Sequence, residues 1–363
     1  MSEKAPRIVN FQAAETVYGF VTALTPIHHG EIPPYNVKPD TGEPVRFRRM
    51  PILAEDKLTG VQTRIDLPVI SGNAVRGIGR RLLLGYTLKT LGIDKREKFN
   101  KLFATSDIAS DIFFFLHNGG ATHKNDTPDQ LDMETYDRIS RSFPIWSLLG
   151  GNYHGHMIEG QCRIGIMIPL VSETKSLISL LISKALVKQF DMEEKEWDSF
   201  ELTASSLISE KASVVRYMRR AEKTEPKEEP AGKDDDKYGA VFGFEVIPAG
   251  TKFVQVNVLT DDSEMNRLAF RAMTAMISLR GVLGGQVAKG HGMAVIRYFD
   301  ASGSQYTRED IDRYGVYLIE NKSALLDALA EFAKKITYQK KKADNADGSK
   351  KKPDKKAAGT DSN

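Results

Sequence analysis

Residues 67–84 read LPVISGNAVRGIGRRLLL, and this order of residue types indicates a strand, a turn and the start of a helix. The apolar run breaks at Ser71, Gly72 and Asn73, then resumes with helical spacing. Either Ser71 or Asn73 can cap the helix, and Gly72 tolerates the dihedral angles of a turn. The segment therefore predicts a strand that leads directly into an N-terminally capped helix.

Two arginines follow this turn at helical spacing. Val75 and Ile78 fall on one face of the predicted helix, whereas Arg76 and Arg80 fall on another. Free amide groups at a helix start, with arginines one turn further on, form a natural seat for phosphate. No Gly-Lys-Ser/Thr closes a P-loop and no third glycine completes a dinucleotide fingerprint, so a nucleotide site is not predicted. A structural turn with solvated arginines is the alternative interpretation.

The composition is that of a folded globular protein. The chain has 363 residues, of which 41% are hydrophobic, and this is enough for a sizeable core. No apolar run reaches the length that crosses a bilayer, and the first residues lack the apolar region of a signal peptide. The single cysteine, Cys162, excludes an intrachain disulfide. We therefore expect a cytoplasmic protein that does not contact a membrane.

The positive charge is unevenly distributed. The net charge is +3, but residues 338–363 contain eight lysines and four aspartates, which leaves the rest of the chain near −1. The body is therefore not a uniformly basic nucleic-acid binder, and a binding surface would be a local stripe. The arginines that cluster in the sequence are Arg46, Arg48, Arg49, Arg76, Arg80 and Arg81.

Strand-like and helix-like segments alternate along the chain. Strands are predicted at 17–24, 61–69, 157–171 and 293–299. Two further strands are predicted, one before and one after the turn at 248–250. Helices are predicted from the start at residue 71 and at 95–103, 133–142, 177–190 and 263–283. The mixture predicts an α+β protein with a ferredoxin-like, RNA-recognition-type core and large insertions.

One domain over residues 1–337 is expected to carry these insertions. Residues 31–66 are rich in proline, glycine and charge and predict a protruding hairpin or loop. Residues 118–132 predict a loop, and 221–237 predict a charged flexible insertion that cannot bury apolar area. Residues 338–363 are expected to form a disordered lysine-rich tail.

The histidines suggest two kinds of chemistry. A metal site would pair His28 and His29 with His154 and His156, but this spacing matches no metal motif, so no metal and no other cofactor is predicted. His28 or His29 is a candidate general acid or base for a ribonuclease. A loop histidine that touches RNA or solvent is the alternative.

Three motifs in one order resemble the repeat-associated mysterious protein (RAMP) superfamily of CRISPR effector complexes. They are LTPIHHG at 24–30, the LPVISGNAVRG block from residue 67, and the glycine-rich GVLGGQVAKGHG at 281–292. The segments FPIWSLLGG at 143–151 and IPAGTKF at 247–253 also resemble stretches of that superfamily. The resemblance implies a palm that carries fingers-like insertions and a protruding thumb hairpin.

The loop before residue 67 departs from part of that superfamily. In type III backbone subunits this loop carries an aspartate that cleaves target RNA, shortly before a proline and a valine or isoleucine. Here Arg49 and Met50 precede Pro51 and Ile52. The departure resembles the type IV backbone subunit and implies guided binding without cleavage. A type III-like nuclease that uses Asp40 or Asp56, and a guide-processing ribonuclease that uses His28 or His29, are the alternatives.

The resemblance and the residue types together predict a non-catalytic subunit that oligomerises along a CRISPR guide RNA. Its expected partners are the guide, complementary target DNA or RNA, copies of itself in a helical filament, and other subunits of the effector complex. Arginines and helix-start amides would hold phosphates, Met50 would wedge beside a base, and the glycine-rich loop would approach the sugar-phosphate chain closely. The residues predicted to bind RNA are His28, His29, Arg46, Arg48, Arg49, Met50, Ser71, Gly72, Asn73, Arg76, Arg80, Arg216, Gly284, Gly285, Lys289, Gly290 and His291.

Overall fold

The computed structural model describes residues 14–30, 45–55, 61–120, 133–153, 156–182, 202–207, 214–218 and 241–334. The predicted insertion 221–237 and the predicted tail 338–363 lie outside the described residues, as does most of the predicted loop 118–132. Of the predicted hairpin 31–66, residues 45–55 and 61–66 are described.

Strands and helices alternate along the described chain. The strands are β1 (Glu15–Ala23), β2 (Arg49–Glu55), β3 (Gln62–Pro68), β4 (Gly151–Tyr153), β5 (His156–Ile158), β6 (Cys162–Ile164), β7 (Ile168–Pro169), β8 (Val214–Met218), β9 (Val241–Glu245), β10 (Lys252–Leu259) and β11 (Ala294–Asp300). The helices are α1 (Gly72–Thr90), α2 (Arg96–Asn100), α3 (Ser106–Asn118), α4 (Met133–Ser142), α5 (Pro144–Leu149), α6 (Lys175–Leu181), α7 (Ala204–Leu207), α8 (Glu264–Arg280) and α9 (Arg308–Glu320). The prediction of an α+β protein is therefore confirmed.

An antiparallel sheet of order β11-β1-β10-β6 forms the centre of the fold, and β7 also pairs with β10. Strand β1 lies between two partners, so that Phe20 is opposite Val254 on one side and Arg297 on the other. Helix α1 follows β1 after a hairpin, and α8 joins β10 to β11. Strands β6 and β7 pair with successive parts of β10, and when they are counted as one interrupted strand the sheet and its two long helices read β-α-β-β-α-β along the chain.

Close contact between α1 and α8 depends on a glycine. A Cβ atom at Gly79 would lie 2.7 Å from the sulfur of Met273, which is inside van der Waals contact. Helix α8 is capped by Ser263, whose hydroxyl accepts a hydrogen bond from the amide of Asn266. Its residues Phe270, Met273 and Ile277 are buried. The small residue in α1 therefore lets the two helices pack with little space between their axes.

The described residues form two compact units. The first comprises Met1–Leu83 and Gln161–Gly315, and the second comprises Leu84–Gly160 and Val316–Asn363. In the second unit the rings of Phe115, Trp146 and Phe332 pack together, with centroids 4.9 to 6.0 Å apart. Trp146 is fully buried. The single domain with insertions stays a prediction.

The hairpin of β2 and β3 contacts the core at its base. Arg49 is opposite Pro68, and the pairing runs outward to Glu55 opposite Gln62. Met50 and Ile52 pack against the hydrophobic cluster that contains Leu67. In the part of the chain that the structure describes, no helix combines the length and apolar character needed to cross a membrane.

Candidate nucleic-acid interface

Ser71 caps the N-terminus of α1. Its hydroxyl oxygen lies 3.3 Å from the amide nitrogen of Ala74, and its carbonyl oxygen accepts from the amides of Ala74 and Val75 at 3.0 and 3.3 Å. Asn73, the other candidate cap, is exposed. Among the described residues, nothing accepts a hydrogen bond from the amides of Gly72 and Asn73. The helix start therefore presents two free donors.

Gly72 is required for close packing. A Cβ atom here would lie 2.1 Å from the carbonyl oxygen of Ile164 and 2.8 Å from that of Gly165. The segment after β6 is in turn held by β10, because Gln255 Nε2 donates to the Gly165 carbonyl at 2.7 Å and Asn257 Oδ1 accepts from its amide at 3.0 Å. The sequence analysis predicted a turn residue and missed this contact between β6 and α1.

His29 holds the cap from the other side. The Ser71 amide donates to His29 Nε2 at 3.2 Å, and the Ser71 hydroxyl lies 3.1 Å from the same nitrogen. Because an amide can only donate, Nε2 carries no proton. Burial, followed by the charges of Arg48 and His28, lowers the pKa of His29 to about 4. The ring is therefore neutral near pH 7 and its Nε2 lone pair is engaged.

His28 joins the end of β1 to the glycine-rich loop. Its Nδ1 donates to the carbonyl of Glu245 at 2.9 Å, and its own carbonyl accepts from the amide of Gly285 at 2.8 Å. Gly284 has φ +75°, and a Cβ atom there would lie 2.2 Å from the His28 carbonyl oxygen. The ring of Phe244 packs 4.6 Å from that of His28. His28 is thus a buried connecting residue.

The far side of the glycine-rich loop is more open. Residues 286–290 are exposed, and a Cβ atom at Gly290 would meet nothing within 4 Å. Lys289 Nζ lies 5.9 Å from the centre of the Phe244 ring. His291 is buried and its Nδ1 lies 3.3 Å from the carbonyl oxygen of Pro26. Gly290 and Lys289 are therefore accessible, whereas His291 supports the loop from below.

Arg49 forms an ion pair. Its guanidinium donates to both carboxylate oxygens of Glu245, at 2.9 and 3.1 Å. Glu245 also accepts from the amide of Phe47 at 2.6 Å. From the sequence, Arg49 was predicted to bind RNA. Glu245 was not predicted as its partner, because nothing in a strand pattern signals a partner almost 200 residues away. Met50 likewise packs on the core through its half-buried side chain, which uses apolar surface that a base wedge would need.

Arg46 and Arg48 carry charges that the described residues do not pair. The backbone of Arg48 links two segments, since its amide donates to the His29 carbonyl at 2.8 Å and its carbonyl accepts from Val69 at 3.0 Å. Its side chain is half-buried and close enough to His29 to lower the pKa of that ring. Within the described chain neither Arg46 nor Arg48 has a carboxylate or hydrogen-bond partner for its guanidinium.

A second group of arginines lies where α1 meets β6. Arg76 is half-buried, and burial followed by the charge of Arg163 lowers its pKa. Arg80 is only 4% exposed, and burial together with Arg76 lowers its pKa to about 10. Arg163 is exposed on β6 and was missed by the sequence analysis, because nothing in the sequence placed it beside α1. Arg76 and Arg163 are the accessible members of this group.

The first unit contains the residues predicted to bind RNA, and contacts join some of them. These connected residues and the start of the helix that Ser71 caps are hereafter called the motif surface, which comprises His28, His29, Arg48, Ser71, Gly72, Asn73, Arg76, Gly284 and Gly285. Arg216 lies on β8 opposite Gly243, but its side chain is outside the described residues. In the described residues, no group of histidines, cysteines and carboxylates could hold a metal ion.

Comparison with known proteins gives structural likenesses only. No family model matches the sequence, and no curated protein is similar to it. Solved structures that are similar to the chain include a chain of a Type IV-B CRISPR complex, with 17% identity over 78% of this chain and 90% of that one and a TM-score of 0.47. Csc2 of Thermofilum pendens is similar over 90% of this chain and 84% of its own, with 13% identity and a TM-score of 0.33.

Proposed function

We propose that this chain is a guide-RNA-binding backbone subunit of a CRISPR effector complex of the RAMP type. One observation carries the proposal. Three motifs that lie between residues 24 and 292 meet at the end of β1, where His29 contacts Ser71 and His28 contacts Gly285. Separate motifs that build one surface are expected of a binding site, whereas unrelated turns have no reason to converge.

The motif surface offers the groups that bind an RNA backbone. The free amides of Gly72 and Asn73 begin a helix and favour negative charge. Arg48 and Arg76 lie close to that helix start and can neutralise phosphates. In the proposed arrangement the β-α-β-β-α-β sheet is a ferredoxin-like palm, and the β2–β3 hairpin is the candidate thumb.

We propose that the subunit does not cleave RNA. The carboxylate of Glu245 is paired with Arg49, and the Nε2 lone pair of His29 accepts from the Ser71 amide. His28 donates through Nδ1 to the Glu245 carbonyl and is buried. A general base needs a free lone pair that can reach the ribose 2′-hydroxyl. A nuclease using Asp40 or Asp56 is the second candidate, and both aspartates lie outside the described residues.

The remaining features of the proposal concern assembly. Copies of the chain would follow one another along a guide in a helical filament, beside other subunits, and present the guide for pairing with DNA or RNA. A subunit that repeats along a strand binds it through the backbone, because each copy meets a different sequence. A cytoplasmic location belongs to the same proposal.

An assembly and cleavage assay tests this function. Purified protein is mixed with a labelled guide RNA, and the complex is then given labelled complementary RNA or DNA with and without magnesium. We expect oligomers whose size grows with guide length, and an uncut target. Products cut at regular spacing, abolished by Asp40→Ala or Asp56→Ala and not by Arg49→Ala, would replace this proposal with the nuclease.

A further inference from the structure

A cavity of about 490 Å³ opens in the second unit, among the end of α1, α2 and α3. Its walls include the side chains of Phe99, Phe113 and Phe114. Its polar lining includes Asn100, Ser110 and Asn118. The motif surface, by contrast, belongs to the first unit, so nothing proposed above accounts for this cavity.

Two of the three aromatic walls are exposed at the mouth of the cavity. Phe113 is 43% exposed and Phe114 is 46% exposed, whereas the next residue of α3, Phe115, is buried. Phe99 contacts Phe113 edge to face at 5.9 Å, and His117 stacks on Phe113 at 5.6 Å. Leaving two adjacent phenylalanine rings in water is unfavourable, and such a pair commonly marks a binding surface.

Positive charge borders the same cavity. Residues 94–101 read DKREKFNK, with four cationic side chains and two carboxylates, and of the carboxylates Asp94 also lines the cavity. Lys95, Lys98 and Lys101 are exposed, and Arg96 lines the cavity itself. Exposed aromatic rings beside a run of lysines and arginines are the combination that binds single-stranded nucleic acid, because rings stack on bases while cations neutralise phosphates.

We propose that this cavity, hereafter the phenylalanine pocket, binds an unpaired base of single-stranded nucleic acid. Phe113 or Phe114 stacks on the base, and the basic segment 95–101 holds the adjoining phosphates. The side-chain amide of Asn100 can donate to and accept from the edge of a base. The Ser110 hydroxyl, which donates to the Ser106 carbonyl, can accept, and Asn118, whose Oδ1 lies 2.9 Å from His117 Nδ1, can donate.

Crosslinking of a labelled dodecamer of uridine containing 4-thiouridine tests the proposal. After ultraviolet irradiation and trypsin digestion, we expect a crosslink in the peptide of residues 102–124, which follows Lys101 and contains both exposed rings. Phe113→Ala/Phe114→Ala should reduce the yield of this crosslink by at least about fivefold, as expected for the loss of one stacking contact. Lys98→Ala/Lys101→Ala should lower the salt dependence of binding, by about 0.7 per lost phosphate contact.

A matched control is available in the same unit. Val316 and Ile319 on α9 are 54% and 63% exposed, so Val316→Ala/Ile319→Ala removes a comparable amount of exposed apolar surface. This variant should keep the wild-type crosslink. Equal thermal midpoints for the two double variants would show that each is folded. If a variant does not fold, the peptide that crosslinks in the wild-type protein still identifies the binding site.

Two outcomes would overturn the proposal. One is a bound dodecamer that leaves residues 102–124 without a crosslink, or a crosslink that Phe113→Ala/Phe114→Ala leaves unchanged. The other is binding of an acidic tyrosine-containing peptide that depends on the two phenylalanines while the dodecamer does not crosslink, which would make the pocket a protein-docking site. If the motif surface did not bind RNA, the crosslink at residues 102–124 would remain. Failure of the proposed function can therefore be distinguished from failure of the phenylalanine pocket to bind a base.

Discussion

His29 Nε2 lies 3.2 Å from the amide nitrogen of Ser71, and 42 residues separate the two in the sequence. The contact joins the end of the first strand to the first turn of α1, and it makes the ring an acceptor. A histidine in this role orients a binding surface and is poorly suited to general base catalysis through Nε2.

The first prediction concerns the pH dependence of stability. Because the pKa of His29 is lowered to about 4 from an ordinary 6.5, the unfolded chain takes up a proton before the folded chain does as the pH falls. The stability contributed by the neutral ring is therefore complete above pH 6.5 and is lost between 6.5 and 4. Urea unfolding at several pH values should show a shallower decline over this window in His29→Ala than in the wild type.

His117 on α3 supplies the control for this prediction. It hydrogen-bonds its neighbour Asn118 at the surface of the second unit. His117→Ala should keep the wild-type decline in stability between the two pH values. Identical curves for His29→Ala and the wild type would contradict the assignment of the neutral ring.

The second prediction separates the two candidate caps of α1. Ser71→Ala removes the hydroxyl that accepts from Ala74 and contacts His29, so it should lower the free energy of unfolding by about 1 kcal/mol. Asn73→Ala changes an exposed side chain and should cost less than about 0.5 kcal/mol. Chemical denaturation of both variants is the measurement, and the reverse order of the two costs would move the cap to Asn73.

The third prediction concerns the contribution of the ion pair between Arg49 and Glu245 to stability. Arg49→Ala leaves the mostly buried carboxylate of Glu245 without its partner and should lower the free energy of unfolding by about 1.5 to 3 kcal/mol. A double-mutant cycle between Arg49 and Glu245 should give a coupling energy of about 1 to 2 kcal/mol. The exposed pair Arg64 and Asp66, 4.0 Å apart on the hairpin, should give less than about 0.5 kcal/mol in the same cycle. Equal coupling in the two cycles would refute a structural role for Arg49.

The fourth prediction concerns binding of RNA. Arg48→Ala and Arg76→Ala should each weaken RNA binding without changing sequence preference, because phosphate contacts position the strand and do not specify its sequence. Each should lower the slope of log affinity against log salt by about 0.7. Arg308→Ala is the matched control and should leave the slope unchanged, because Arg308 is an exposed arginine that pairs with Asp312 and lies outside the motif surface. If neither Arg48→Ala nor Arg76→Ala changed the slope, the motif surface would not be the RNA-binding site.

Arg80 was predicted to bind RNA together with Arg76. The structure buries its side chain. Replacing it should affect the free energy of unfolding more than the salt slope, and the variant does not serve as a clean test of binding.

The sequence was sufficient for local structure where patterns are strong. The start of α1 was predicted at Ser71 or Asn73, α4 at 133–142 matches the structure, and the helix predicted from residue 263 is α8, which Ser263 caps. These features depend on neighbouring residues, so local periodicity and capping preferences reveal them. Helix α3 was missed, because its run of three phenylalanines at 113–115 hides the helical spacing.

Contacts between distant segments could not be predicted in this way. The pairing of Arg49 with Glu245 and the hydrogen bond of Gln255 to Gly165 join strands that meet only after the sheet has formed. The predicted strand 157–171 is broken into β5, β6 and β7, and at Gly165, between β6 and β7, a Cβ atom would lie 2.2 Å from the carbonyl oxygen of Val256. Gly72 was interpreted only as a turn residue. Its close approach to the backbone of residue 164 has no signature in a single sequence.

Mapping crosslinks from a 4-thiouridine guide RNA is the most direct test of the central claim, which is that the motif surface binds RNA. Trypsin releases this surface in the peptides of residues 65–76 and 281–289, which contain Ser71 and Gly285. We predict crosslinks in both peptides, weakened in Arg48→Ala/Arg76→Ala, where the loss of the cleavage site at residue 76 extends the first peptide to Arg80. An RNA that binds the folded protein yet crosslinks to neither peptide would contradict this account.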